Sequence, residues 1–152
     1  MFLTRLAAVG AVVGLALGLS SAPASAAPRT SAFENQAPAG ACLDFRADYG
    51  PYVFNCNGTD YQKWHWNDEI RLTALRQVAT RLCLTLRNGE LTMKPCAAAD
   101  EAALWSVDTQ SPGGALIQNN VNHKCLARGA NDRVSTALCT GGPSQRWLVW
   151  AA

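Results

Sequence analysis

The chain is poor in the residues from which most metal and catalytic sites are built. It has 2 histidines in 152 residues, His65 and His123, and no Cys-x-x-Cys pair. Zinc sites draw on such pairs or on nearby histidines, so no metal and no cofactor is expected. A Gly-x-Ser-x-Gly nucleophile elbow is also absent, and neither histidine has a nucleophile motif beside it. Glycosidase chemistry needs two carboxylates about 5 to 9.5 Å apart across a cleft. The adjacent pairs here, Asp68-Glu69 and Asp100-Glu101, fall in loops and read as solvated charges. We expect a chain that is not an enzyme.

Charge of one sign is lacking as well. With 13 Lys and Arg against 11 Asp and Glu, and no cluster of the basic ones, nothing points to nucleic acid or to an anionic membrane. The longest apolar run, from Leu6 to Leu19, falls short of the about 20 residues that a membrane span requires. It follows Arg5 and precedes Ala24-Ser25-Ala26, an A-x-A cleavage pattern, so residues 1–26 read as a secretory signal peptide. The expected product is secreted and extracellular. Asn57-Gly58-Thr59 has the form of a glycosylation acceptor, which counts only in a host that glycosylates its exports.

What the chain does have is a unit present three times. Cys42-Leu43…Cys56…Trp64, Cys83-Leu84…Cys96…Trp105 and Cys125-Leu126…Cys139…Trp147 hold the same order at a period of 41 to 42 residues. A fixed period decides architecture before local propensity does. The six cysteines follow an export signal into an oxidising compartment, where they pair. If each unit folds alike, the pairs are Cys42–Cys56, Cys83–Cys96 and Cys125–Cys139, each closing a loop worth about 3 kcal/mol of chain entropy.

Short strand-like segments separated by turn signals mark an all-β barrel or sandwich. Arg87-Asn88-Gly89-Glu90 is a hairpin turn of the Asn-Gly type. Trp64-x-Trp66, Trp105-x-Val107 and Trp147-x-Val149 put two apolar side chains on one face of a strand. Gln36, Gln77 and Asn119 each stand six residues ahead of a first cysteine. Ala97 to Ala103 reads as a helical turn between Cys96 and Trp105. The expected organisation is a short linker at 27–32, then one domain over 33–152 with repeats near 33–69, 70–111 and 112–152.

Cys42-Leu43-Asp44 followed by Gln62-Lys63-Trp64, with Gln145-Arg146-Trp147 in the third unit, resembles the ricin B-type lectin family and its Gln-x-Trp repeat. The resemblance implies a β-trefoil of twelve strands with pseudo-threefold symmetry, disulfides within units and the repeat tryptophans in the core. It also implies where a sugar would sit: on the Asp after Cys-Leu, an aromatic two residues before the second Cys, and polar groups ahead of the Trp. In the first unit these places hold Asp44, Phe54, Tyr61 and Gln62, with Tyr52 nearby. The second unit offers Thr85, Lys94 and Ala102-Ala103, and the third Ala127, Ala137 and Ser144.

The expectation is therefore a carbohydrate-binding module for a glycan or glycoprotein, with at most one working site, in the first repeat. Asp44 is read as a surface carboxylate. Trp150, whose repeat equivalents Asn67 and Asp108 are polar, is the rival contact, unless it packs against the segment around Phe33. The alternative reading is a degenerate trefoil that serves as a protein-interaction or cell-surface targeting subunit.

Overall fold

The computed structural model describes residues 28–152, so the signal-peptide reading of 1–26 lies outside the described residues. The first repeat runs β1 (Arg29–Asn35), β2 (Ala41–Arg46), β3 (Gly50–Asn55) and β4 (Trp64–Trp66). The second runs β5 (Thr73–Ala74), β6 (Arg76–Gln77), β7 (Leu82–Arg87), β8 (Glu90–Pro95) and β9 (Leu104–Asp108). The third runs β10 (Leu116–Asn119), β11 (Cys125–Arg128), β12 (Val134–Ala137) and β13 (Trp147–Ala151). Segments β5 and β6 are one strand position interrupted at the fully buried Leu75. That leaves twelve positions, four per repeat, in a β-trefoil.

A ring of strands closes by antiparallel pairing. Strand β1 pairs with both β4 and β13, β4 with β6, β5 with β9, and β9 with β10. The last joint, β10 to β13, is a single bridge, Ala115 to Trp147. Gly114 stands at that joint with φ +119°, and a Cβ there would come within 3.1 Å of the Trp147 carbonyl oxygen. Only glycine permits this approach. The hairpins β2–β3, β7–β8 and β11–β12 lie off the ring, and the second turns on Asn88 (φ 51°) and Gly89 (φ 82°), as a two-residue hairpin loop requires.

The repeated motif is explained atom by atom. Leu43, Leu84, Leu126 and the three repeat tryptophans are all fully buried. The indole Nε1 of Trp64 donates to the Leu43 carbonyl at 3.1 Å, that of Trp105 to Leu84 at 2.9 Å, and that of Trp147 to Leu126 at 3.1 Å. A buried indole needs such a partner. The disulfides are Cys42–Cys56, Cys83–Cys96 and Cys125–Cys139, with Cα atoms 5.0, 5.1 and 5.0 Å apart. Among the described residues no helix is long and apolar enough to cross a membrane.

Three expectations need correction. The barrel begins at Arg29, because residues 29–31 pair with 64–66, so most of the supposed linker at 27–32 is strand. The repeat equivalent of Gln77 and Asn119 is Asn35, not Gln36. All three are fully buried, and their amides reach the preceding repeat around the ring: Asn35 to the Ser144 carbonyl, Gln77 to that of Tyr61, Asn119 to that of Ala102. Gln36 is displaced by an extra residue before Cys42, and its Nε2 is buried without a partner. The helical turn at 97–103 is a 3₁₀ turn over Glu101–Ala103, and it is no peculiarity of the second repeat. Asp60–Gln62 and Pro143–Gln145 make the same turn.

Trp105 is fully buried and bonded within the second repeat, to Leu84, so it tests the core. Trp105→Ala should lower the unfolding free energy by about 3 to 5 kcal/mol in urea or guanidinium, through lost burial and a residual cavity.

Candidate functional site

The face of the β2–β3 hairpin carries Asp44 and Arg46 on one strand and Tyr52 and Phe54 on the other, with Asp44 directly opposite Tyr52. This face forms one side of an open cleft of about 490 Å³. The loop after Cys56 brings Asn57, Thr59 and Tyr61 to the cleft, and Thr80 of the second repeat joins them. Four of the five expected residues, Asp44, Tyr52, Phe54 and Tyr61, therefore meet in one place. Phe54 and Tyr61 each expose about half of their surface (52 %), an unusual amount for large aromatics. The Tyr52 and Phe54 rings lie 6.2 Å apart, tilted by 50°.

The fifth residue, Gln62, does not line the cleft. It is buried, and it holds the cleft together from behind. Its Nε2 donates to Asp44 Oδ2 at 3.1 Å and to the Asn55 carbonyl at 3.0 Å, while its Oε1 accepts from the Asn57 amide at 2.8 Å. Gln145 makes the same pattern in the third repeat, with Leu138 and Thr140 as partners. Gln62 is thus a positioning residue that ties the second-cysteine loop to the Asp44 carboxylate.

Asp44 is no surface carboxylate, as the sequence reading had it. The residue is only 4 % exposed, although it reaches the cleft. Its Oδ1 accepts from the Phe45 amide at 2.6 Å. Burial pushes its pKa up, and the Phe45 and Gln62 hydrogen bonds with the nearby Arg46 charge offset that only in part. Tyr52 is shifted upward too, first by burial and then by the Asp44 charge. Arg46 does not neutralise Asp44, because its guanidinium is taken by Asp48 at 2.7 and 3.1 Å.

The rim is braced from the third repeat. The Arg133 guanidinium lies 4.0 Å from the Tyr49 ring centre and donates to the Tyr49 carbonyl, while the Tyr49 hydroxyl donates to Asn131. Tyr49 in turn stands edge-on to Tyr52 at 5.5 Å. The sister sites lack the cleft chemistry. Thr85 turns its hydroxyl back to the Cys83 carbonyl, Lys94 occupies the place of Phe54, and Ala127 has no polar atom to offer.

Trp150 lies elsewhere. It pairs with Ala32 in β1, stands half exposed on the outside of the barrel, and donates its Nε1 to Glu34 at 2.6 Å. Another cavity, about 550 Å³, opens beside the β10–β13 joint. Its charged pair, Arg29 and Asp68, is mutually satisfied at 2.7 Å, and the Trp66 Nε1 is spent on Ser31. It presents no unneutralised charge and no free aromatic hydrogen-bond donor.

Sequence reasoning missed Arg46, Asp48, Asn57 and Thr80 at the cleft. For Arg46 a signal existed: Arg46 and Arg87 stand four residues after a first cysteine and Arg128 three, each paired with an aspartate, Asp48, Asp100 and Asp132. Thr80 had none, since it reaches the cleft from another repeat.

Replacing Gln62 tests its positioning role. Gln62→Ala removes the bonds to Asp44, Asn55 and Asn57 and should cost about 1 to 3 kcal/mol in denaturant unfolding, in line with buried groups left unpaired.

Solved structures share this architecture at low identity, which shows the fold alone. The designed threefold-symmetric protein ThreeFoil matches with a TM-score of 0.69 and 16 % identity, over 81 % of this chain and 99 % of that one. SeviL, solved with asialo-GM1 saccharide, matches at 0.66 and 15 %, over 82 % and 98 %. The cytolethal distending toxin of Haemophilus ducreyi matches at 0.68 and 14 %, over 81 % and 83 %. No curated protein matches the chain. The model of the ricin-type beta-trefoil lectin domain matches residues 30–147, nearly all of the described chain, and the chain belongs to that family.

Proposed function

We propose that the protein is a secreted carbohydrate-binding module with a single working site, the cleft on the first repeat. The observation that carries the reading is the buried Asp44 carboxylate opening into a cleft lined by the half-exposed Phe54 and Tyr61. A saccharide ring offers hydroxyls on its edges and C–H groups on its faces. A carboxylate accepts from adjacent hydroxyls while an aromatic ring covers the apolar face. SeviL, of the same fold, was solved with a saccharide bound. The three disulfides suit an oxidising, extracellular compartment.

Binding without catalysis fits the carboxylates as they stand. Asp68 is paired with Arg29 and Asp100 with Arg87, which gives one member of each adjacent carboxylate pair a structural role. A second reading, an interaction or cell-surface targeting subunit, draws support from the loss of the cradle in two repeats. The chemistry left in the first repeat favours the sugar.

A glycan array followed by titration calorimetry tests the proposal. Monosaccharide affinity should lie near the millimolar range, about −4 kcal/mol, because the cleft is open and has no second copy to add avidity. Phe54→Ala and Asp44→Asn should abolish measurable binding, whereas Lys94→Ala in the second repeat should not alter it. An array without a single hit would shift the weight to the targeting subunit.

Acidification should release the ligand before the protein unfolds. The raised Asp44 pKa means that its acceptor charge is lost at a higher pH than for an exposed aspartate. In the folded state Asp44 then holds its proton more tightly than in the unfolded chain. Its own contribution to stability therefore improves as pH falls through that window. Calorimetric affinity should drop while circular dichroism stays constant; simultaneous loss of both would contradict the assignment.

A further inference from the structure

Resting on the cleft assigned above, the electrostatics of its walls narrow the class of saccharide. Three charged groups face it, Asp44, Arg46 and Asp48, beside the hydroxyls of Tyr52 and Tyr61. Arg46 is engaged by Asp48 as a two-bond pair and makes no contact with Asp44, whose burial its charge offsets only in part. What remains is the Asp44 carboxylate, which has hydrogen bonds from the Phe45 amide and the Gln62 side chain but no cationic partner. A buried carboxylate is ordinarily paired with a cation. The neighbouring aromatic rings act in the same direction, since ring faces attract cations and are indifferent or unfavourable to anions.

We propose that the ligand of this cleft is an amino sugar with a free, protonated amine, whose ammonium sits on the Asp44 carboxylate while its ring lies against Phe54 and Tyr61. The ammonium supplies three donors and the missing positive charge at one point. A neutral hydroxyl supplies donors without charge, and a uronic or sialic acid brings a second negative charge beside Asp44 and Asp48. The order of preference is thus free amine, then N-acetylated or neutral sugar, then acidic sugar. Arg46 does not reverse it while Asp48 pairs with its Nε and Nη2.

The test compares short glucosamine oligomers with N-acetylglucosamine oligomers of the same length, by calorimetric titration of the protein at neutral pH and at rising salt. Acetylation removes the charge and leaves the ring. The free-amine oligomer should bind at least about tenfold tighter, as a charge-assisted contact beside aromatic rings allows. That advantage should shrink as salt screens it. Glucuronic acid should bind more weakly than either. N-acetylated or neutral sugars binding as tightly as the amine, or an amine advantage that salt leaves untouched, would overturn this inference and leave the sugar site standing. Binding of none of these sugars, nor of any array glycan, would remove both.

Discussion

The rest of the structure depends on one contact made three times, the indole of a repeat tryptophan donating to the carbonyl of the leucine after a first cysteine. The bond ties the last strand of each repeat to its own hairpin, across 21 residues of chain. It also accounts for why the motif needs all its parts. The leucine fills the core, the neighbouring cysteine anchors the hairpin base to the second-cysteine loop, and the tryptophan fills the barrel and closes the unit. A phenylalanine would fill less of that space and leave the carbonyl unpaired in the interior, where a missing partner costs more than the bond itself contributes.

Units closed in this way still have to be joined, and the joints are polar. Asn35, Gln77 and Asn119, buried among apolar neighbours, each send an amide to the 3₁₀ turn of the preceding repeat. The ring therefore closes on itself, with the third repeat linked to the first through Asn35 and Ser144. The cleft inherits its shape from this frame. The Tyr61 backbone is held by Gln77 from the second repeat, and the hairpin rim is braced by Arg133 from the third. The cleft on the first repeat is consequently built by all three.

Much of this was legible in the sequence, and the reasons for the failures are specific. Spacing alone revealed the cysteines, the leucines and the tryptophans, because each is a core or covalent landmark that cannot slide along a strand. The amide joint was misplaced by one residue in the first repeat, at Gln36 instead of Asn35, because the turn before Cys42 is one residue longer there. Periodicity cannot see such an insertion. Gln62 was grouped with the sugar-contacting residues by the family pattern, yet only coordinates reveal that it faces inward and works on Asp44. The same limit hid the burial of Asp44, since a carboxylate on a short alternating strand reads as solvated until the loop that covers it is placed. Thr80 comes from a different repeat and could not be read locally.

The three hairpins also allow a comparison that the chain makes with itself. At the position after Cys-Leu, Thr85 satisfies its hydroxyl on its own strand and Ala127 offers no polar atom, and both hairpins form the same β-ladder as the first. The frame thus has no need of a carboxylate there. In the first repeat the position nevertheless carries Asp44, ionisable, buried and without a cation, which opposes folding at neutral pH through its desolvation. Gln62 and the Phe45 amide reduce that cost without removing it. A charge held at a place where an uncharged residue folds as well is what the proposed function of the cleft calls for, an acceptor kept for a ligand rather than for the fold.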